Sequence, residues 1–89
     1  MKTILTVIGK DQTGIIAGVS QKLYELNINI LDVTQTIMED YFTMIMLLDL
    51  SKINVSFDEV KNALTETGNN LKVKVNIQRE EIFDAMHRL

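Results

Sequence analysis

The spacing of apolar residues changes along the chain between the period of a strand and the period of a helix, in an order that few folds share. Residues 2–9 are apolar and β-branched with little polarity on either side, which is typical of a central strand. The two-residue period over 28–38 and 41–50 predicts two further strands. Between them and the first strand lies a helical stripe, formed by Ile15, Val19, Leu23 and Leu26.

The second half of the chain predicts another helix and another strand. Ser56 and Glu59 have the spacing of a capping box, which begins a helix, and Gly68 is the expected residue just beyond its end. Apolar and polar residues alternate over 71–77, as in a strand with one wet face. Residues 80–89 predict a short terminal helix with acids leading and bases trailing. Its apolar residues are Ile82, Phe83, Met86 and Leu89.

The order β-α-β-β-α-β predicts an α+β fold of the ferredoxin-like type, with a four-stranded antiparallel sheet. Right-handed crossovers place the two main helices on one face of this sheet. We expect the domain to occupy residues 1–78, and residues 79–89 to form a C-terminal helical extension.

The alternation in the strands predicts an apolar sheet face that the two main helices do not cover. In the second strand, the alternation places Ile30 and Asp32 on one face and Val33 on the other. The third strand is apolar on both sides, since Ile45 and its neighbours at 44 and 46 are all apolar. The helices cover only one side. The C-terminal helix, a second copy of the chain, or both are the candidates for the other.

Composition excludes several classes of function. A chain of 89 residues holds one domain, and the absence of cysteine and the presence of a single histidine argue against a metal site. The net charge of −3 argues against nucleic acid and anionic membrane as partners. No apolar run reaches the length of a membrane-spanning helix, and the first residues lack the features of a signal peptide. The expected compartment is the cytoplasm.

The segment between the first strand and the first helix is a candidate binding loop. A glycine at a helix start, here Gly14, lets unpaired backbone amides approach a carboxylate. The nearby Asp11 supplies a charge that could hold an ammonium group, so together they would suit an α-amino acid. The alternative is structural: Asp11 or Thr13 caps the helix and Gly14 packs closely against the neighbouring strand.

The stretch Gly9–Ile16, followed by Asn29-Ile30 at the start of the second strand, resembles the ACT domain pattern. The resemblance covers residues 3–77 and is closest to small stand-alone ACT proteins, similar to the ACT halves of glycine-cleavage repressors. It implies a regulatory homodimer, without catalytic residues or cofactor, that binds an amino acid or related metabolite between paired domains. Thr13 departs from the family, many of whose members carry proline there. The ligand-binding positions that the resemblance implies are Asp11, Gln12, Thr13, Gly14, Ile15, Ile16, Asn29 and Ile30.

Three other functions remain for comparison. The first is a structural pairing module that binds no ligand. The second is an enzyme of the acylphosphatase type, which needs an arginine in the first loop, whereas no arginine precedes Arg79. The third is RNA binding on the open sheet face, which needs exposed aromatic residues that Tyr41 and Phe42, at one strand end, supply poorly.

Overall fold

The computed structural model describes residues 2–10 and 12–81, and these form six elements. They are β1 (Lys2–Lys10), α1 (Ile15–Glu25), β2 (Asn29–Met38), β3 (Tyr41–Asp49), α2 (Phe57–Leu71) and β4 (Lys74–Arg79). The strands form one sheet in the order β2-β3-β1-β4, with every neighbouring pair antiparallel. The predicted ferredoxin-like βαββαβ fold is therefore confirmed. Glu80 and Glu81 are helical, and the rest of the predicted terminal helix, 82–89, lies outside the described residues.

The core lies between the two helices and one face of the sheet. The central strands β1 and β3 each send every second side chain into it. These are Thr3, Leu5 and Val7 from β1, and Phe42, Met44, Met46 and Leu48 from β3. The helices contribute Ile15, Val19, Leu23, Val60 and Leu64. Burying each large apolar side chain contributes about 1.5–3 kcal/mol, so this layer supplies most of the favourable free energy of folding.

The ends of the helices follow the local signals in the sequence. After α1, Asn27 adopts a left-handed conformation with φ of 61°, which an asparagine tolerates better than most residues. Before α2, the Oγ of Ser56 accepts a hydrogen bond from the backbone amide of Glu59 at 3.1 Å. The predicted start of α2 is therefore confirmed.

The predicted end of α2 at Gly68 is wrong. The helix continues to Leu71, and Lys72 takes the left-handed conformation that stops it. Gly68 is buried inside the helix, where a Cβ would lie 2.6 Å from Cγ2 of Val75 and 3.0 Å from the carbonyl oxygen of Val73. The absence of a side chain at Gly68 lets α2 approach β4 closely. Because α2 extends to Leu71, β4 begins at Lys74 rather than at Leu71.

The predicted facing of Ile30 is also wrong, because β2 contains a bulge between Ile30 and Asp32. Ile30 lies opposite Leu48, and Asp32 lies opposite Leu47, so the inserted Leu31 changes the alternation. Ile30 therefore shares the helix side of the sheet with three later residues of the strand. These are Val33, Gln35 and Ile37.

The other face of the sheet carries an apolar strip along β1 and β3. We call it the central stripe; it consists of Ile4, Ile8, Ile45 and Leu47. Ile8 and Ile45 are 48% and 38% exposed, and the other two are half-buried. The third strand is thus apolar on both sides, as the sequence predicts.

Candidate functional site

The loop that joins β1 to α1 contains a glycine whose backbone conformation few other residues can adopt. Gly14 is the N-cap of α1 and has φ of 93°, a conformation that residues with a side chain rarely adopt. A Cβ built on it would have no atom within 4 Å. The alternative that Gly14 packs closely against a neighbouring strand is therefore wrong. Its surroundings are open, and a ligand could approach the backbone there.

The first turn of α1 presents unpaired amides at this opening. The first hydrogen bond of the helix runs from the amide of Gly18 to the carbonyl of Gly14, so the amides of Ile15, Ile16 and Ala17 precede the ladder. Among the described residues, no side chain caps this turn, and the turn contains no acidic residue. Thr13 therefore does not cap the helix. These amides and the helix dipole favour an anionic group such as a carboxylate.

The loop is held in place by the end of α2. The side-chain amide of Gln12 donates a hydrogen bond to the carbonyl oxygen of Leu71. The side chain of Leu71 in turn lies against Gly18, where a Cβ would be 2.9 Å from Cδ1 of Leu71. Of the predicted site residues, Gln12 thus has a structural role for its side chain that the sequence does not reveal.

The remaining loop positions differ in exposure. Thr13 is exposed, Ile15 is buried in the core, and Ile16 is exposed on the surface of α1. Asp11 lies outside the described residues. Ile15 can therefore offer a ligand only its backbone amide, whereas Thr13 and Ile16 can also offer their side chains.

Asn29 and Ile30 are at the other end of the sheet from the loop. Asn29 lies in one row with Asp49 and Lys2, at the start of β1, whereas the loop leaves from the end of β1. Eight residue steps along β1 separate the two ends, which is about 26 Å. A single chain therefore does not bring the two parts of the predicted site together.

Asn29 lines a polar hollow of about 420 Å³ between the end of α1 and the end of β3. The side chain of Asn27 donates to the carbonyl oxygen of Lys52 at 2.9 Å, which fixes one wall. Asp49 accepts a hydrogen bond from the backbone amide of Ser51 at 2.9 Å, and this bond, followed by one from the Ser51 hydroxyl, lowers the pKa of Asp49. The hollow therefore presents an ionised carboxylate and a lysine. The full lining is Tyr24, Asn27, Ile28, Asn29, Asp49, Ser51 and Lys52.

Sequence reasoning missed the other residues of this hollow. Asp49 is separated from Asn29 by 20 positions and becomes its neighbour only through the pairing of β2 with β3. A register assignment of the predicted hairpin could have found it. Within the described part of the chain, no group of three or more metal-ligating side chains occurs.

The strand β2 forms an exposed edge of the sheet. None of residues 31–40 is buried, and Val33 and Ile37, on the helix side, are 43% and 54% exposed. Ile16 and Tyr24 are also exposed, and the helical spacing places them on the flank of α1 that faces away from α2. A long apolar edge is a ready surface for pairing with another strand.

The chain is thus a small α+β module with a glycine-led helix start at one end of an exposed edge strand and a polar hollow at the other. The chain belongs to the ACT domain family, whose model matches residues 2–78. ACT domains are ligand-binding regulatory modules in related proteins. The predicted family is therefore confirmed.

The similar proteins include small relatives and a domain of a larger one. A UPF0237 protein of Listeria innocua is 65% identical over 89 residues, with full coverage of both chains. The solved structure of an ACT domain protein from Streptococcus pneumoniae is 46% identical, covers 98% of each chain and has a TM-score of 0.82. A putative glycine cleavage system transcriptional repressor shares the fold at 23% identity and a TM-score of 0.76, with 86% of this chain matched to 44% of that one.

Within residues 2–10 and 12–81, no helix has both the length and the apolar character of a membrane span.

Proposed function

We propose that this protein is a cytoplasmic, homodimeric regulatory module that senses an α-amino acid or a closely related metabolite. Each ligand would bind at the loop of one protomer and the start of β2 in the other. The proposed role is regulation of a partner rather than catalysis. The observation that carries the proposal is the separation of the two half-sites at opposite ends of the exposed edge strand.

Antiparallel pairing of two β2 edges would unite these half-sites. Met38, at the end of β2, lies in the same row as Tyr41 and Lys10, where the loop leaves β1. A two-fold axis through the middle of the paired strands would place the partner's Asn29 beside this row. The separation of about 26 Å along the strands within one chain would then shrink to three strand spacings, about 14 Å, between the two chains.

The exposed apolar residues of the edge support this pairing. Val33 and Ile37 on β2, with Ile16 and Tyr24 on α1, are exposed on the side where the second copy would lie. Pairing would bury these side chains and the unpaired backbone groups of the edge together. A domain of this size also gains stability from association, because alone it buries a smaller share of its surface than a larger domain does.

The chemistry of the half-sites fits an α-amino acid. The amides at the start of α1, from Ile15 to Ala17, would receive the carboxylate. Asp11 would receive the ammonium group, and the partner's Asn29 would hydrogen-bond to the ligand from the other side. The open space next to Gly14 leaves room for the backbone of the ligand.

A thermal-shift screen of the twenty common amino acids and related metabolites tests the proposal. A ligand at 100 times its dissociation constant should stabilise the protein by about 2.7 kcal/mol. Since 1 kcal/mol moves the melting temperature of a small domain by about 4–8 °C, the shift should be on the order of 10 °C or more. If no compound at millimolar concentration shifts the melt, the pairing module without a ligand becomes the better account.

Two matched substitutions of Gly14 test the role of the amides. Asparagine and aspartate have nearly the same shape and tolerate left-handed backbone conformations better than other residues. Gly14→Asp places a negative charge where the carboxylate of the ligand would lie, whereas Gly14→Asn does not. We expect Gly14→Asp to weaken binding at least about tenfold more than Gly14→Asn, as the repulsion of two unit charges would require. Equal affinities of the two variants would exclude the amides as the carboxylate site.

A further inference from the structure

In the described part of the chain, the central stripe is a partly exposed apolar surface between polar borders. Ile4 pairs with Leu47, whereas Ile45 pairs with Thr6 and Ile8 pairs with Thr43, so the four apolar side chains share the open face of β1 and β3 with two threonines. On the β4 side the stripe is bordered by the polar residues Lys74, Asn76 and Gln78. On the β2 side it is bordered by Asp32, Thr34 and Thr36. A stripe of this shape has the width of one helix.

The chain leaves β4 beside one end of this stripe. Arg79, the last residue of β4, is paired with Thr3, next to Ile4. Glu80 and Glu81 are already helical, and both line a hollow of about 320 Å³ together with Lys2 and Arg79. Glu80 and Glu81 therefore lie beside the start of β1, where the stripe also begins.

The length and the pattern of the terminal segment match the stripe. The helix that the sequence predicts over 80–89 would extend about 15 Å, and Ile4 to Ile8 along β1 is about 13 Å. A helix of about 10 Å diameter spans the two strands β1 and β3, which lie about 4.8 Å apart. At 3.6 residues per turn, one side of such a helix is entirely apolar and the opposite side is polar. The apolar side consists of Ile82, Phe83, Met86 and Leu89.

We propose that residues 82–89 continue the helix begun at Glu80 and pack their apolar side onto the central stripe of the same chain. The covalent connection gives this segment an effective concentration in the millimolar range, which a second copy does not reach. With the open face covered in this way, copies of the chain associate through the β2 edge and not by stacking their sheets. The segment lies beyond residue 78, where the match to the ACT family ends, so this cover is an addition to the family's fold.

Engineered cysteine pairs test the proposal, because the chain contains no cysteine of its own. Ile45→Cys combined with Met86→Cys should form an intramolecular disulfide under mild oxidation, seen as a compact monomer on a non-reducing denaturing gel. The control combines Ile45→Cys with His87→Cys, whose side chain points about 100° away around the helix and should stay reduced. Covalent dimers of the first pair would show that a second copy covers the stripe. Equal oxidation of both pairs would show that the segment has no fixed place on the sheet. Either result overturns the proposal.

A truncation gives a second, independent measurement. The chain that ends at Glu81 should melt about 10 °C or more below the full chain, because apolar surface on the stripe becomes exposed. It should also bind the dye ANS, which reports exposed apolar surface, whereas the full chain should not. An unchanged melting temperature and no ANS binding would refute the cover.

Discussion

Two glycine-to-alanine substitutions, one in each helix, distinguish the effect of close packing on stability from the effect of helix propensity. Gly68 lies inside α2 and Gly18 lies inside α1, so each substitution gains about 1 kcal/mol from the higher propensity of alanine. The two positions differ in what a new Cβ meets. At Gly68 it would lie 2.6 Å from Cγ2 of Val75 and 3.0 Å from the carbonyl oxygen of Val73. At Gly18 it would lie 2.9 Å from Cδ1 of Leu71.

The expected difference follows from what can move. Leu71 meets Gly18 with the far end of a flexible side chain, which can rotate away at little cost. At Gly68 the obstacle includes the backbone carbonyl of Val73, the residue just before β4, so α2 must shift on the sheet. Crowding of this kind costs about 1–3 kcal/mol. Because the propensity gain is common to both variants, Gly68→Ala should be less stable than Gly18→Ala by about 1–3 kcal/mol.

Urea denaturation of both variants and the parent at one protein concentration measures this difference. The dependence of the unfolding free energy on urea should be the same for all three, so that the midpoints report stability alone. Equal midpoints for the two variants, or a Gly68→Ala variant more stable than Gly18→Ala, would refute the close approach of α2 to β4.

Three further changes test separate parts of the account. Ser56→Ala removes the hydroxyl that caps α2 and should lower the free energy of unfolding by about 1 kcal/mol in urea. Ile37→Lys puts a charge on the β2 edge and should turn the proposed dimer into a monomer by light scattering, whereas Asn62→Lys, exposed on α2, should leave the mass unchanged. Hydrogen bonds from Ser51 hold the pKa of Asp49 below its ordinary value of 3.8. The stability that these bonds provide is therefore fully present above pH 3.8, and it is lost as the pH falls through the lower pKa of the folded state. Asp49→Asn should therefore flatten the acid limb of the stability curve, measured by urea denaturation at several pH values; an unchanged limb would contradict this.

The order of the elements could be predicted because each one carries its own local signal. The stripe of α1 and the cap at Ser56 act within one or two turns, and local sequence suffices to find them. At Gly68 the local signal is misleading. A glycine near the end of a helix usually stops it, but here the distant residues Val73 and Val75 determine that only a glycine fits. Tertiary contact, which no local pattern contains, decided its role.

The bulge in β2 shows a second limit. Alternation of apolar and polar residues assumes that each residue of a strand has one partner, and Leu31 breaks this rule without any glycine or proline to mark it. The bulge is defined by the pairing with β3. Its consequence is that Ile30, at the start of the strand, lies on the helix side together with Val33 and Ile37.

The candidate site could be predicted only as two separate segments. The loop from Gln12 to Ile16 is continuous, so its position at a helix start follows from the sequence. That Asn29 lies at the far end of the sheet follows only from the topology, and so does its proximity to Asp49. The hydrogen bond from Gln12 to Leu71 connects residues 59 positions apart, and no local sequence pattern predicts it.

Mixing two variants tests most directly whether the site is shared between protomers. Gly14→Asp damages the loop half of every site, and Asn29→Ala damages the β2 half, so neither homodimer should respond to the ligand found in the screen. A mixed dimer would contain one site built from two intact halves. In an equal mixture about a quarter of the sites should be of this kind, as two-fold symmetry requires. Calorimetric titration should therefore detect ligand binding in the mixture and in neither parent. Absence of binding in the mixture, with mixed dimers demonstrated by native mass spectrometry, would contradict a site shared between the two chains.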